Sequence, residues 1–183
     1  MPELPEVEVL VRHLAPLLQN RTIREVHVHR PKVLLPTSPR ELQERLSGAR
    51  FLGLTRRGKY LLFALRGKGR NNDFSLVGHL GMTGRMYLQP AKQSLPKHAA
   101  VVLRLGRENF IYEDQRYFGR LTLAVEAVAA LGPEPFEAEF TPTALAQALQ
   151  RSTRPVKVKL LDQELVAGVG NIYASEALFR AGI

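Results

Sequence analysis

The 183-residue chain contains no cysteine, which excludes disulfide bridges and thiolate metal sites within it but leaves its compartment open. It also lacks any apolar run near the roughly 20 residues that span a bilayer. The acidic start has neither the basic nor the apolar region of a secretory signal. These absences lead to the expectation of a cytoplasmic protein with no membrane partner. Acidic side chains are comparatively scarce: 17 Asp and Glu stand against 26 Lys and Arg, a net charge of +9 and an isoelectric point near 10.2. A polyanion is the natural partner for such a chain, nucleic acid first among them. Charge alone leaves a basic, solvated surface as the alternative.

What is present is enough apolar material for a core, with 45% hydrophobic residues. Leu4, Val7, Val11, Leu14 and Leu18 recur three and four apart and predict one face of a helix, with Pro5 in its first turn. Ser38 and Glu41 form a capping-box pattern ahead of Leu42 and Leu46, and Gly48 closes that second, short helix. Strands are predicted over 22–30, 50–55, 60–65, 74–79, 100–105, 110–113 and 120–125. KGRNND reads as a loop of solvated basic residues. The segment LGPEPFEAEF interrupts the strand pattern as a linker. Beyond it a helix capped by Thr141, another opened by Pro155 and running through Val166, and a third after the Gly168–Asn171 turn are expected. The predicted fold class is α+β. An antiparallel two-layer β-sandwich flanked by helices occupies residues 1–131, a linker 132–140, and a helical domain 141–183.

The first residues read MPELPEVE. If Met1 is trimmed, Pro2 exposes a secondary amine, a group whose reference pKa of about 7.7–8.0 leaves a useful unprotonated fraction near neutrality. The positive end of the first helix favours the free amine, and Glu3 and Glu6 oppose that shift. Attack of such an amine on a sugar C1′ gives an iminium, an electron sink for elimination, and Glu3 can relay the proton that opens the sugar ring. On these residues alone a stiffened, dipole-matched helix entry is the competing explanation.

Several further stretches bear on the choice. RRGKYLLF places Lys59 at a tight turn, presenting an ammonium beside a basic pair; HLGMTGR sets Met82 on a glycine-bounded loop; EDQRYFGRL puts Arg116, Tyr117 and Phe118 just past a strand end. Exposed apolar and guanidinium groups on loops of a basic protein fit wedges that fill the space left by a flipped nucleotide, with ordinary core packing as the alternative for Met82 and Phe118. In GVGN, backbone amides at a turn and helix start can hold a phosphate, although glycines also cap helices for purely conformational reasons. His27 and His29 alternate on a strand without further ligands and read as an ordinary edge, so no metal site is assigned.

Taken together, MPELPEVE, RRGKYLLF, HLGMTG, the Asp114–Gly119 core and LLDQELVAGVGNIYASEALFRAGI resemble the formamidopyrimidine-DNA glycosylases of bacterial base-excision repair, over essentially the whole chain and in the family's order. The resemblance implies removal of oxidised purines, 8-oxoguanine and formamidopyrimidines, followed by AP-lyase strand cleavage. By the same resemblance Pro2 is the Schiff-base nucleophile, Glu3 the proton donor at the sugar, Glu6 a supporting group, and Lys59 the acid/base residue of β-elimination. Met82, Arg116 and Phe118 match the side chains that occupy the gap opposite the everted base, with Arg116 facing the orphaned cytosine. His98, Lys157 and Asn171 match backbone-contacting positions, Asn171 within a helix–two-turns–helix motif. The implied partner is damaged double-stranded DNA, bound by a monomer in the bacterial cytoplasm at the nucleoid.

The chain departs from the pattern at Gln115, where the family often has proline, and at Tyr117, where it often has a second arginine; both bear on contacts to the orphan base. The family continues into further helices and a four-cysteine zinc finger. This chain stops at Ile183 without a cysteine, so a C-terminally truncated chain holding no zinc or other cofactor is expected. Two rivals follow. One is the sister group resembling endonuclease VIII, which prefers oxidised pyrimidines and is disfavoured by Leu4 and the Glu6–Glu8 run. The other is a DNA-binding module that lost turnover through truncation.

Overall fold

The computed structural model describes residues 2–69 and 72–183. Met1, Arg70 and Asn71 lie outside that range, and with them the reading of Met1 trimming and the centre of the KGRNND loop. Among the described residues no helix is long and apolar enough to cross a membrane.

Helix α1 spans Leu4–Leu18, and the five apolar residues at three- and four-residue spacing are the ones it buries. The strands are β1 (Glu25–Val28), β2 (Arg50–Arg57), β3 (Tyr60–Arg66), β4 (Asp73–His79), β5 (Arg85–Pro90), β6 (Ala99–Arg104), β7 (Glu108–Glu113) and β8 (Arg120–Thr122). They form two antiparallel four-stranded sheets, ordered β1-β6-β7-β5 and β2-β3-β4-β8. The facing layers interlock through aromatics: Phe63 of one sheet meets Phe110 of the other edge-on, with ring centroids 5.7 Å apart. Helix α2 (Pro39–Leu46) carries the expected capping box, with Ser38 Oγ accepting from the Glu41 amide at 3.1 Å. The architecture is α+β, as expected.

Several elements differ from the sequence reading. β5 is an additional strand. Its short run of alternating residues ends in Pro90, which an edge position beside β7 tolerates because one side of the strand needs no ladder partner. β1 is shorter than expected, and residue 22 makes only an isolated bridge to Arg50. β8 stops at Thr122, because Thr37 Oγ1 takes the Leu123 amide at 2.9 Å and removes it from the ladder. A 3-10 turn (Pro31–Leu34) and a one-turn helix α3 (Glu126–Ala129) are also additional.

Helices α4 (Pro142–Gln150), α5 (Val156–Leu160) and α6 (Asn171–Arg180) follow. α5 ends six residues before Val166, where the sequence suggested it would stop. The Asp162 carboxylate accepts from the Glu164 amide at 3.1 Å and from Lys159 Nζ at 2.8 Å, so a side chain replaces the next helical turn. Gln163 then ties the loop together, donating to the Leu161 and Val169 carbonyls and accepting from the Gly168 amide.

The helical part is fastened to the sandwich at one end. Glu134 accepts two hydrogen bonds from Arg56, at 2.7 and 2.6 Å, and one from the Gly58 amide at 2.7 Å. Burial alone would raise the Glu134 carboxyl, but the hydrogen bonds from Arg56 and Gly58 outweigh it and hold the group below the usual range. The Gly132 amide donates to the Gln163 carbonyl, and the Ala167 amide to the Pro133 carbonyl, across the same seam.

Candidate active site

The site forms where the start of α1, the β2–β3 turn and the start of α6 converge. Glu3 is buried, and its carboxylate accepts from the amides of Gly170 at 2.8 Å, Ile172 at 2.8 Å and Tyr173 at 3.2 Å. A helix N-terminus has unpaired N–H groups and a positive dipole end, so it is a natural seat for a carboxylate. The amides that the sequence offered for a phosphate are therefore occupied by Glu3. Its own amide donates to Glu6 Oε2 at 2.9 Å, and the Leu4 amide donates to the Gly168 carbonyl at 3.1 Å. Glu6 thus acts by fixing the backbone of Glu3. Pro2, next in the chain, is half-buried.

Lys59 is not the freely presented ammonium that the turn suggested: only 7% of the residue is exposed. The adjoining Gly58, in the left-handed region at φ +55°, lets the turn dock against residues 167–168, where an added Cβ would stand 3.4 Å from the Gly168 nitrogen. Burial pushes the Lys59 ammonium below the usual lysine range, partly opposed by the charge of Glu3. A neutral amine is therefore more accessible there than on a solvated lysine.

His79, at the end of β4, is a functional candidate that the sequence reading missed. Its ring packs 4.8 Å from that of Tyr60, and its Nδ1 accepts from the Gly81 amide at 3.1 Å. Burial, with the positive charges of Lys59 and Arg120, pushes the imidazole down to about 4. Its folded value lies below its unfolded one, so stability is full above about pH 6.5, falls as the unfolded chain takes up the proton, and levels off below about pH 4. The expected slope is at most about 1.4 kcal/mol per pH unit. Denaturant titrations between pH 7 and 4 should show it, and His79→Gln should remove it. An identical pH profile in that variant would assign the acid sensitivity elsewhere.

A second cluster lies on the loops at the same end of the sandwich. Met82 and Phe118 are 46% and 51% exposed, which places both outside the core, and Arg116 stacks over Phe118 with its guanidinium carbon 4.6 Å from the ring centre. Asp114, fully buried, joins the two loops: it accepts from Thr83 Oγ1 at 2.6 Å, the Arg116 amide at 3.1 Å and the Gly119 amide at 2.9 Å. Gly81 and Gly119 pack backbone to backbone, since a Cβ on Gly81 would fall 2.6 Å from the Gly119 nitrogen. Asp114→Asn turns an NH₂ toward one of these donors and should lower stability by about 2 kcal/mol. It should also loosen the loop that carries Arg116 and Phe118, checked by thermal unfolding and by the rate of limited proteolysis within that loop. Unchanged values in both would leave Asp114 without a positioning role.

The remaining candidates are spread around this centre. The His98 carbonyl accepts from the Asp114 amide at 3.1 Å, which sets His98 beside the Arg116 loop. Asn171 is the exposed first residue of α6, between two of the amides that hold Glu3. Lys157 is half-buried on α5, and among the described residues no hydrogen bond or ion pair brings its side chain to Glu3 or Lys59. A four-cysteine zinc site has no ligands in this sequence.

A basic sandwich that brings a buried carboxylate, a buried lysine and the exposed Met82, Arg116 and Phe118 to the end meeting a helical unit has the features of a nucleic-acid-binding class of protein. Formamidopyrimidine-DNA glycosylase N-terminal and H2TH domains match residues 1–121 and 131–183, and the chain belongs to the formamidopyrimidine-DNA glycosylase family. It is 45% identical to the formamidopyrimidine-DNA glycosylase of Moorella thermoacetica and 42% to that of Carboxydothermus hydrogenoformans. All of this chain is covered in both comparisons, with 68% and 66% of the relatives. The chain thus spans about two thirds of the length of these curated relatives. The Lactococcus lactis enzyme non-covalently bound to AP-site DNA superposes with a TM-score of 0.89 at 34% identity, over 99% of this chain and 70% of that one. A Lactococcus lactis variant bound to Fapy-dG DNA gives the same TM-score at 36% identity, over 100% of this chain and 68% of that one.

Proposed function

We propose that the chain is a base-excision DNA glycosylase that removes oxidised purines from double-stranded DNA and then cleaves the strand as an AP lyase. The observation that carries this reading is the three-amide hold on Glu3, which fixes a carboxylate immediately beside Pro2. With Met1 removed, the Pro2 lone pair attacks C1′. The C1′–base bond breaks with its electrons going to the base, which takes up a proton from solvent, and the attacking amine passes its N–H proton to the Glu3 carboxylate. Glu3 delivers a proton to O4′, the ring opens, and C1′ becomes an iminium. Loss of a C2′ proton to a base then expels the 3′ phosphate, and a second elimination releases the 5′ phosphate. Lys59, whose buried amine is more readily neutral than a solvated lysine, is the acid/base group assigned to the first elimination.

Met82, Arg116 and Phe118 fill the gap left by the everted nucleotide, with Arg116 toward the orphaned cytosine, while His98, Lys157 and Asn171 hold the DNA backbone. The substrate class is supported by the AP-site and Fapy-dG DNA bound in the Lactococcus lactis structures. Incubation with an 8-oxoguanine duplex in borohydride, beside an oxidised-pyrimidine duplex, tests the reading. A covalent adduct on the 8-oxoguanine strand is expected. An adduct confined to the pyrimidine lesion would reassign the chain to endonuclease VIII-like chemistry, and tight lesion binding with no adduct would leave a DNA-binding module.

A further inference from the structure

The wedge loop carries a second guanidinium that its own strand does not supply. Arg30, just beyond β1, donates through Nε to the Tyr117 hydroxyl at 2.9 Å and through Nη1 to the His29 carbonyl at 3.3 Å. Its guanidinium carbon lies 5.5 Å from the centre of the Tyr117 ring. Tyr117 stands between Arg116 and Phe118 with φ +55°, a strained value for a bulky residue, while its ring packs back against the main core. That left-handed turn carries the Tyr117 ring inward, to where it can hold Arg30, between two neighbours that remain exposed. The Arg30 amide also bonds the Ala100 carbonyl, two residues from His98, so Arg30, His98 and Arg116 share one end of the sandwich.

Both arginines are exposed, and among the described residues neither has a carboxylate partner. Two guanidiniums brought to one loop without counter-ions repel each other, which favours an anion outside the protein. With Nε and Nη1 engaged, Arg30 keeps Nη2 and the remaining Nη1 hydrogen to offer, a forked edge suited to a phosphate. We propose that Arg30 binds a backbone phosphate of the strand carrying the orphaned base, and that Tyr117 is the residue positioning it. This inference rests on the glycosylase reading above.

The test measures the affinity of the unaltered chain, Arg30→Ala, Arg30→Lys and Tyr117→Phe for a tetrahydrofuran-containing duplex across a salt series. Each phosphate neutralised adds about 0.9 to the slope of log affinity against log salt, so Arg30→Ala should lose about one unit of slope. Its affinity deficit should shrink by about 3.5-fold on going from about 50 to about 200 mM salt. Arg30→Lys should keep the slope, and Tyr117→Phe should keep it while weakening binding. Neutral methylphosphonates placed singly on the undamaged strand should weaken the unaltered chain at a position flanking the orphan base, where Arg30→Ala loses nothing further. An unchanged slope, or losses that add at every methylphosphonate position, would overturn the assignment while leaving the glycosylase reading intact. If the unaltered chain shows no preference for the tetrahydrofuran duplex over an undamaged one, that reading fails and takes the Arg30 assignment with it.

Discussion

Protein that retains Met1 is expected to form no borohydride-trapped adduct with 8-oxoguanine DNA, whereas protein beginning at Pro2 forms it readily. The difference is electronic. In the retained form the proline nitrogen is a tertiary amide whose lone pair is delocalised into the carbonyl, so it neither attacks C1′ nor forms an iminium. In the trimmed form it is a secondary amine with a reference pKa of about 7.7–8.0, beside the clasped Glu3. Pro2→Gly replaces it with a primary amine and should keep part of the trapping, because a primary amine also forms an imine. Intact mass spectrometry fixes which form is present in each preparation. Undiminished trapping by Met1-bearing protein would place the nucleophile on another group, with Lys59 the first to examine because its buried amine is already pushed down.

Features that repeat at short range were legible in the sequence. The buried face of α1 follows from five apolar residues, and the start of α2 from the Ser38–Glu41 pattern, because both are decided within a few residues of chain. The pattern overextends α5 because the apolar residues at Leu160, Leu161, Leu165 and Val166 continue past the point where Asp162 and Gln163 take over the backbone. β5 leaves little trace in the sequence because a short edge strand ending in proline gives little periodic signal. In the site, the chemistry of the N-terminus and the family resemblance brought out Pro2, Glu3 and Lys59 but not what surrounds them. The partners of Glu3 lie more than 160 residues away, so no local pattern could distinguish a carboxylate seat from a phosphate seat at Gly170. Asp114 was visible as part of a motif, yet its role depends on Thr83, which only the pairing of β5 with β7 brings near.

The tightness of the Glu3 seat makes Gly170→Ala a sharp probe of it. Gly170 has φ −122° and ψ −165°, an extended conformation that alanine adopts freely, so the substitution brings no backbone strain of its own. Its added Cβ would stand 2.5 Å from Glu3 Oε1 and 2.7 Å from Cγ. Ordinary contact begins near 3.4 Å, and the carboxylate cannot swing aside cheaply while three amides hold it. It must shift by about 1 Å or abandon those bonds, a displacement that can cost about 10²-fold when the group must meet a reacting atom. Single-turnover excision by Gly170→Ala should fall by at least that factor in protein that remains folded by circular dichroism. Gly53→Ala, where nothing lies within 4 Å of the new methyl, should keep the parent rate. Glu3→Gln supplies the second arm: if Gly170 acts only through Glu3, the double variant should be no slower than Glu3→Gln alone. A folded Gly170→Ala within about threefold of the parent rate, or a double variant whose losses multiply, would mean that excision does not depend on where the seat holds the Glu3 carboxylate.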